Sequence, residues 1–144
     1  MSNPQQFCIF CGQPRLSKEH LFPGWLRKYF PRSADDSHTF GRISDRNPTW
    51  DIQSRQGHSG SKKVRKVCKR CNSGWISGLD KSASNIFPPF IEGTPTEVTP
   101  EMQRATATWL VKIAMVSDSL PGKSSRVTQD HRTHLMTHLG APDG

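Results

Sequence analysis

Two Cys-x2-Cys pairs constrain what this chain can fold into more than any other feature. The first pair is Cys8 and Cys11, the second is Cys68 and Cys71, and fifty-six residues separate them. Two cysteines at this spacing can both face one tetrahedral ion, and two such pairs complete its coordination. Because four thiolates leave no open position, the pattern predicts a structural Zn²⁺ site and not a catalytic one. Buried apolar cysteines or a redox pair are the alternatives.

The remaining composition explains why such a chain needs a metal. Its 144 residues suit one domain, but only 33% of them are hydrophobic, and the mean hydropathy is −0.67. A chain of this kind buries a thin core and gains much from a cross-link. Zinc binding is expected to supply that stability.

The charge balance favours a polyanionic partner. The net charge is +8 and the isoelectric point is about 9.7, which for a small chain points first to nucleic acid and otherwise to a merely basic surface. No apolar run is long enough to cross a bilayer, and the N-terminus does not resemble a secretory signal. We therefore expect a cytoplasmic protein with no membrane partner, whose cysteines are thiolates and not disulfides.

A basic run precedes the second cysteine pair. Between positions 55 and 70 there is no acidic residue, and His58 is expected to be a surface histidine. Such cations would hold phosphates without reading sequence, although a solvated loop is the simpler interpretation. The predicted nucleic-acid contacts are Arg55, Lys62, Lys63, Arg65, Lys66, Lys69 and Arg70.

The order of the remaining elements predicts an α+β fold. A short helix is expected over Leu21–Phe30, a β-hairpin over about 31–52, and a helix that starts at or just after Asn72. A zinc knuckle, a hairpin and a helix that share one metal form a treble clef, also called a ββα-metal domain. We assign it to residues 1–86.

The C-terminal part is predicted to be a helical extension over residues 99–144, joined by a proline-containing linker over 87–98. Thr99, Pro100 and Glu101 form a good helix start, because they supply a capping hydroxyl, a proline at the first position and an acid in the first turn. Ala105, Trp109, Leu110, Ile113 and Val116 are expected on its buried face. A last helix is expected over Thr128–Leu139, closed by Gly140.

Three residues near the cysteine pairs carry chemistry that suits phosphodiester hydrolysis. Glu19 and His20 follow the first pair, and Asn72 directly follows the second. A neutral imidazole can accept a proton from water, while carboxylate and amide oxygens suit one Mg²⁺ or Mn²⁺ ion. Each residue also has a plainer interpretation: Asn72 as a helix cap, His20 as a hairpin-orienting group, and Glu19 as a surface acid.

At these positions the sequence resembles the HNH, or His-Me finger, endonucleases. The segments that carry the resemblance are CIFCG, LSKEHLFPGWL and VCKRCNSGWISGLD, which cover residues 8–83 well. The pattern is most similar to that of phage Holliday-junction-resolving endonucleases, in which two such pairs bracket an acid–histidine pair and an asparagine follows the last cysteine. The resemblance implies that His20 is the general base and that Glu19 and Asn72 are ligands of a catalytic divalent ion.

The leading hypothesis is therefore a metal-dependent HNH-type endonuclease that acts on DNA, with a structural Zn²⁺ and a catalytic Mg²⁺ or Mn²⁺. The alternatives are a non-catalytic, zinc-dependent nucleic-acid-binding protein and a phage or mobile-element factor that binds another protein. The chain lacks the asparagine that many HNH enzymes carry shortly before the second pair, since lysine, valine and arginine occupy that stretch. A homodimer would suit a junction resolver, and the sequence does not decide it.

Overall fold

The computed structural model describes residues 6–33, 35–44, 47–57, 62–120 and 126–140. It is a mixed α/β structure with two small antiparallel sheets and a set of helices. His58 lies outside the described residues. Within the described part of the chain, none of the helices has the length and apolarity that a membrane crossing requires. The strands are β1 (Glu19–His20), β2 (Ser37–Ser44), β3 (Asn47–Gln56) and β4 (Lys63–Val64), and a 3-10 helix covers Gly24–Lys28.

The expected hairpin is present and consists of β2 and β3. The strands run antiparallel from the Ser37–Gln56 pair to the Ser44–Asn47 pair, with an irregularity in the register between Arg42 and Ser44. Across the strands, the hydroxyl groups of Thr39 and Ser54 lie 3.0 Å apart. The side chain of Ile52 is 66% exposed, so at this position the hairpin contributes surface and not core.

A second, two-residue sheet joins the segments that follow the first cysteine pair and precede the second. Glu19 is opposite Val64 and His20 is opposite Lys63, in the antiparallel pair of β1 with β4. An isolated bridge between Leu16 and Cys68 continues this pairing toward the second cysteine pair. The backbone therefore holds the Glu19–His20 segment beside the second cysteine pair.

The helix after the second pair begins earlier than the sequence predicts. Its first segment is α1 (Lys69–Cys71), capped by extended Cys68, and a π-helical turn follows over Asn72–Ile76. Asn72 donates its backbone N–H to the carbonyl of Cys68 at 3.0 Å, so it lies inside the helix. The helix start expected at Asn72 is therefore wrong, and so is the helix-cap interpretation of its side chain, because Cys68 takes the capping position.

The following helix, α2 (Ser77–Ile91), contains Pro88 and Pro89 and extends into the stretch expected to be a linker. Proline removes a backbone donor and disfavours helix interiors. Here both prolines lie in the last turn, where their carbonyls still accept bonds from Glu92 and Thr94. Phe87, the residue just before them, packs on Trp109 with ring centroids 4.9 Å apart. Tertiary packing thus extends the helix past the point that the prolines indicate.

The predicted start of the next helix is confirmed, and its predicted face is partly wrong. In α3 (Pro100–Asp118) the Thr99 hydroxyl accepts the Met102 N–H at 3.3 Å. Trp109 and Val116 are buried as expected, whereas Leu110 is 48% exposed. The buried stripe instead continues through Thr108, Lys112 and Met115. A buried lysine broke the apolar pattern from which the face was predicted.

The last helix, α4 (Gln129–His138), packs the C-terminal part of the chain onto the first cysteine pair. Leu135 is fully buried in the same cluster as Phe10, Met115 and Val116. Gln129 also donates its side-chain amide to the carbonyls of Ile9 and Phe10, at 3.1 and 3.3 Å. Leu139, and not Gly140, adopts the left-handed conformation that ends the helix, with φ 49°.

Candidate functional site: a four-cysteine cluster beside a small polar cleft

The four cysteines come together as the spacing predicts. One Sγ atom from each of Cys8, Cys11, Cys68 and Cys71 lies within 4.8 Å of all the others. A tetrahedral Zn²⁺ with bonds of about 2.3 Å places its sulfurs about 3.8 Å apart, so the donor set fits the ion. The Sγ atoms of Cys11 and Cys68 are 3.5 Å apart, which is far longer than an S–S bond. The cysteines form a metal-compatible cluster.

The pKa shifts of the thiols agree with a cluster that binds a cation. Burial raises the pKa of Cys71 far above its ordinary value, and burial also raises the pKa of Cys11. The pKa of Cys68 is lowered, because the backbone amide of Cys71 and the neighbouring thiols outweigh the opposing effect of burial. Without a cation, one thiolate discourages its neighbours from ionising. A metal ion removes that conflict by binding all four as thiolates.

The surroundings of the cluster hold the first pair rigidly. Gly12 has a φ of 69°, which suits glycine and closes the turn after Cys11. The amide of Gly12 donates to the carbonyl of Cys8 at 2.9 Å. Phe10 is buried and meets the Trp75 ring edge-on, with centroids 4.9 Å apart. The sequence therefore specifies this knuckle locally, through its glycine and its aromatic residue.

The structure brings the three predicted catalytic residues to one place. Glu19, His20 and Asn72 line a common cleft of about 30 Å³, which has room for about two water molecules. Asn72 lines the cleft together with Ile76 and Asp80, which follow it in the helical run at intervals of four residues. All three predicted residues are half-buried. They therefore combine partial shielding from solvent with access from the surface.

His20 is held by a cation that sequence reasoning missed. Arg27, in the 3-10 helix, has its Nη2 atom 3.0 Å from Nε2 of His20. Because a guanidinium only donates, Nε2 is the acceptor and the ring proton is on Nδ1. Burial lowers the pKa of His20, and the charges of Arg27, Lys63 and Arg32 lower it further. The imidazole is therefore neutral at physiological pH.

A second missed feature is an ion pair between a buried lysine and a partly exposed aspartate. Lys112 is 4% exposed, and its Nζ lies 2.8 Å from Oδ1 of Asp80. The same oxygen accepts the indole N–H of Trp109 at 2.8 Å. Both charged residues line the cleft with Asn72. In the sequence, the four-residue spacing of Asn72, Ile76 and Asp80 was the signal that could have indicated Asp80 as a neighbour of the predicted site.

Some of the predicted nucleic-acid contacts lie close to the cleft or to the cysteine cluster. Lys63 lies across the strand pair from His20, and its charge acts on the imidazole. Lys69 and Arg70 are exposed in α1, directly between the two cysteines of the second pair. Arg55, Lys62 and Arg65 are also exposed, whereas Lys66 is half-buried. Six of the seven predicted contacts are therefore exposed cations.

Among the described residues, the four cysteines are the only group of three or more histidine, cysteine or acidic side chains close enough to hold one ion. The histidines of α4 have other roles. His131 accepts the Thr128 N–H on Nδ1 at 3.3 Å and completes a capping box. His134 and His138 stack with centroids 4.4 Å apart.

In comparisons with family models, with curated proteins and with solved structures, the chain has no match.

Proposed function

We propose that the chain is a metal-dependent endonuclease of the HNH type, built on a zinc-stabilised treble clef, that hydrolyses DNA phosphodiester bonds. The observation that carries the proposal is the shared cleft: Glu19, His20 and Asn72 line one small polar cavity beside the four-cysteine cluster. An acid, an imidazole and an amide oxygen, with cations around them, form the set that phosphodiester hydrolysis needs.

His20 is the general base in this proposal. Its neutral state suits proton abstraction, and Nε2 carries the lone pair that would take the proton from the attacking water. Arg27 now donates to that lone pair. A phosphate offers the guanidinium a stronger, charge-assisted partner, so substrate binding would draw Arg27 toward the phosphate and release Nε2. The imidazolium formed would then lie near the carboxylate of Glu19.

Glu19 and Asn72 are the residues that would hold the catalytic ion. Carboxylate and amide oxygens are hard ligands that suit Mg²⁺ or Mn²⁺, and water or phosphate oxygens would complete the coordination. Asp80 fits this role less well, because its Oδ1 already accepts from Trp109 and Lys112. When bound, the ion would stabilise negative charge on the phosphate and on the leaving oxygen.

The test is cleavage of supercoiled plasmid by the zinc-loaded protein, with Mg²⁺ or Mn²⁺ added or omitted. The wild type should nick the plasmid only with added divalent ion. Glu19→Gln and Asn72→Ala should each lower the rate by about 100-fold, because each removes a ligand of that ion. Glu97→Gln, a matched change at an exposed acid outside the cleft, should cut normally. A wild type that binds DNA and never cuts it contradicts the nuclease proposal.

One observation favours a second candidate, a non-catalytic zinc-dependent nucleic-acid-binding protein. The lone pair of His20 that catalysis needs is occupied by Arg27 at 3.0 Å. In a binding module this contact would simply hold two side chains in place beside a basic surface. The same plasmid assay separates the candidates when it is paired with a gel-shift measurement, since the second candidate predicts binding without nicks under every metal condition.

A further inference from the structure

A second cavity shares Ser17 with the cleft. It is an open basin of about 580 Å³, and its wall includes Arg15, Ser17, Cys68, Lys69 and Arg70. Ser17 lines both the basin and the cleft. The two cavities are therefore neighbours that share one residue as a wall.

The basin carries a one-sided charge. Arg15, Lys69 and Arg70 contribute three positive charges, and among the residues that the structure describes no acidic side chain lines the cavity. All three side chains are exposed, and none forms an ion pair with another residue that the structure describes. Three unpaired cations around a concave surface create a site for an anion with more than one charge or with several charges in a row.

The walls of the basin are held by backbone hydrogen bonds and by the cysteine cluster. Ser17 donates its amide and its hydroxyl to the Val67 carbonyl, at 3.0 and 3.1 Å. The Leu16–Cys68 bridge joins the two sides. A backbone that is already fixed loses less conformational freedom on binding than a loose loop that carries the same cations. The same metal that supports the cleft thus supports the basin.

Arg15 occupies its place at a conformational cost. Its φ is 66°, in the left-handed region that residues other than glycine rarely adopt. Such a residue is strained relative to relaxed backbone. Glycine would relieve this cost, so a variant with glycine at this position removes the guanidinium without straining the fold.

We propose that this basin binds a phosphate of the nucleic-acid backbone next to the one held in the cleft, with Arg15, Lys69 and Arg70 as its ligands. The inference deepens the proposed function and depends on its nucleic-acid substrate, although not on cleavage. The nucleic-acid strand would pass Ser17, which lines both cavities, between the cleft and the basin. Arg15 is the new member, since it lies outside the basic run of residues 55–70.

The test is binding of a fluorescein-labelled 20-base-pair duplex by the zinc-loaded His20→Ala protein, followed by fluorescence anisotropy between 50 and 300 mM salt. Each phosphate contact multiplies the binding constant by about [salt]^−0.9, which is about fivefold at 0.15 M. Arg15→Gly and Arg70→Ala, in that background, should each raise Kd about fivefold and reduce the salt slope by about one. Lys81→Ala, an exposed cation on α2, should change neither quantity.

The outcomes separate this proposal from the proposed function. Normal binding and an unchanged salt slope in both Arg15→Gly and Arg70→Ala overturn the basin, even if the wild type cuts DNA. Weaker binding with a smaller slope supports it, even if the wild type never cuts. No binding by the parent protein overturns the basin together with the nucleic-acid substrate. Equal losses in Lys81→Ala also overturn it, because they indicate a general effect of net charge.

Discussion

At the scale of single residues, the pKa of His20 is lowered by burial and then by the cations around it. The imidazole is half-buried in a cleft where Arg27 donates to its Nε2 atom. The adjacency of Glu19 and His20 was visible in the sequence, but the arginine seven positions later was not an obvious partner. Its placement requires the turn at Pro23 and the 3-10 helix that follows. A single residue's chemistry was therefore predictable, while its electrostatic environment was not.

Replacing Arg27 should change the pKa of His20 in a defined direction. A nearby positive charge disfavours the imidazolium, so Arg27→Gln should raise the pKa of His20 toward its ordinary value. Titration of the ring C–H resonances by NMR measures this directly. Lys28→Gln makes the same charge change at the next residue and should leave the pKa closer to that of the wild type. An unchanged or lower pKa in Arg27→Gln contradicts the contact.

At the scale of secondary-structure elements, local sequence signals predicted most helices and strands, and tertiary packing determined where several of them begin or end. The hairpin and the Thr99 start of α3 follow from alternation and capping, both of which are local. The start of the helix at Lys69 does not, because it depends on Cys68 being fixed in an extended conformation. Leu110 was assigned to the wrong face because Lys112 is buried by a partner on another helix. Long-range pairing of this kind leaves no periodic trace in the sequence.

The ion pair between α2 and α3 gives a prediction at this scale. Asp80→Asn leaves Lys112 buried without its charged partner and should lower the free energy of unfolding by about 3 kcal/mol. Lys112→Met keeps the packing and removes the buried charge, so its cost should be smaller. The double variant should recover part of the loss, because the unpaired charge is gone. Urea unfolding of the zinc-loaded proteins measures all three, and additive losses contradict the pairing.

At the scale of the whole molecule, one metal-compatible cysteine cluster joins parts of the chain that lie far apart in sequence. The buried cluster includes cysteines of both pairs together with Met115 and Leu135 from the C-terminal helices. Gln129 donates to the carbonyls of Ile9 and Phe10, which lie between the cysteines of the first pair about 120 positions earlier. The cysteine spacing predicted the cluster, because metal-ligand geometry is specific. The docking of α4 onto it was not predictable, since α4 has few apolar residues to indicate a partner.

Loss of the metal should therefore unfold the chain and not only its first half. The free energy of structural zinc binding is about 10 kcal/mol or more, comparable with the whole stability of a small domain. Cys68→Ser should lose zinc, measured by mass spectrometry, and should lose helical signal in circular dichroism. Chelation of wild-type zinc should do the same, and added Zn²⁺ should reverse it. A metal-free protein that melts like the wild type contradicts this role.

Single-turnover cleavage of DNA with Mg²⁺ or Mn²⁺ decides whether the cluster supports a catalytic cleft with His20 as its base. General-base catalysis contributes about 100- to 10,000-fold, so His20→Ala should cut slower by a factor in this range while remaining folded and zinc-loaded. His138→Ala, a matched change at an exposed histidine of α4, should cut at the wild-type rate. Equal cleavage rates for His20→Ala and the wild type would contradict the account.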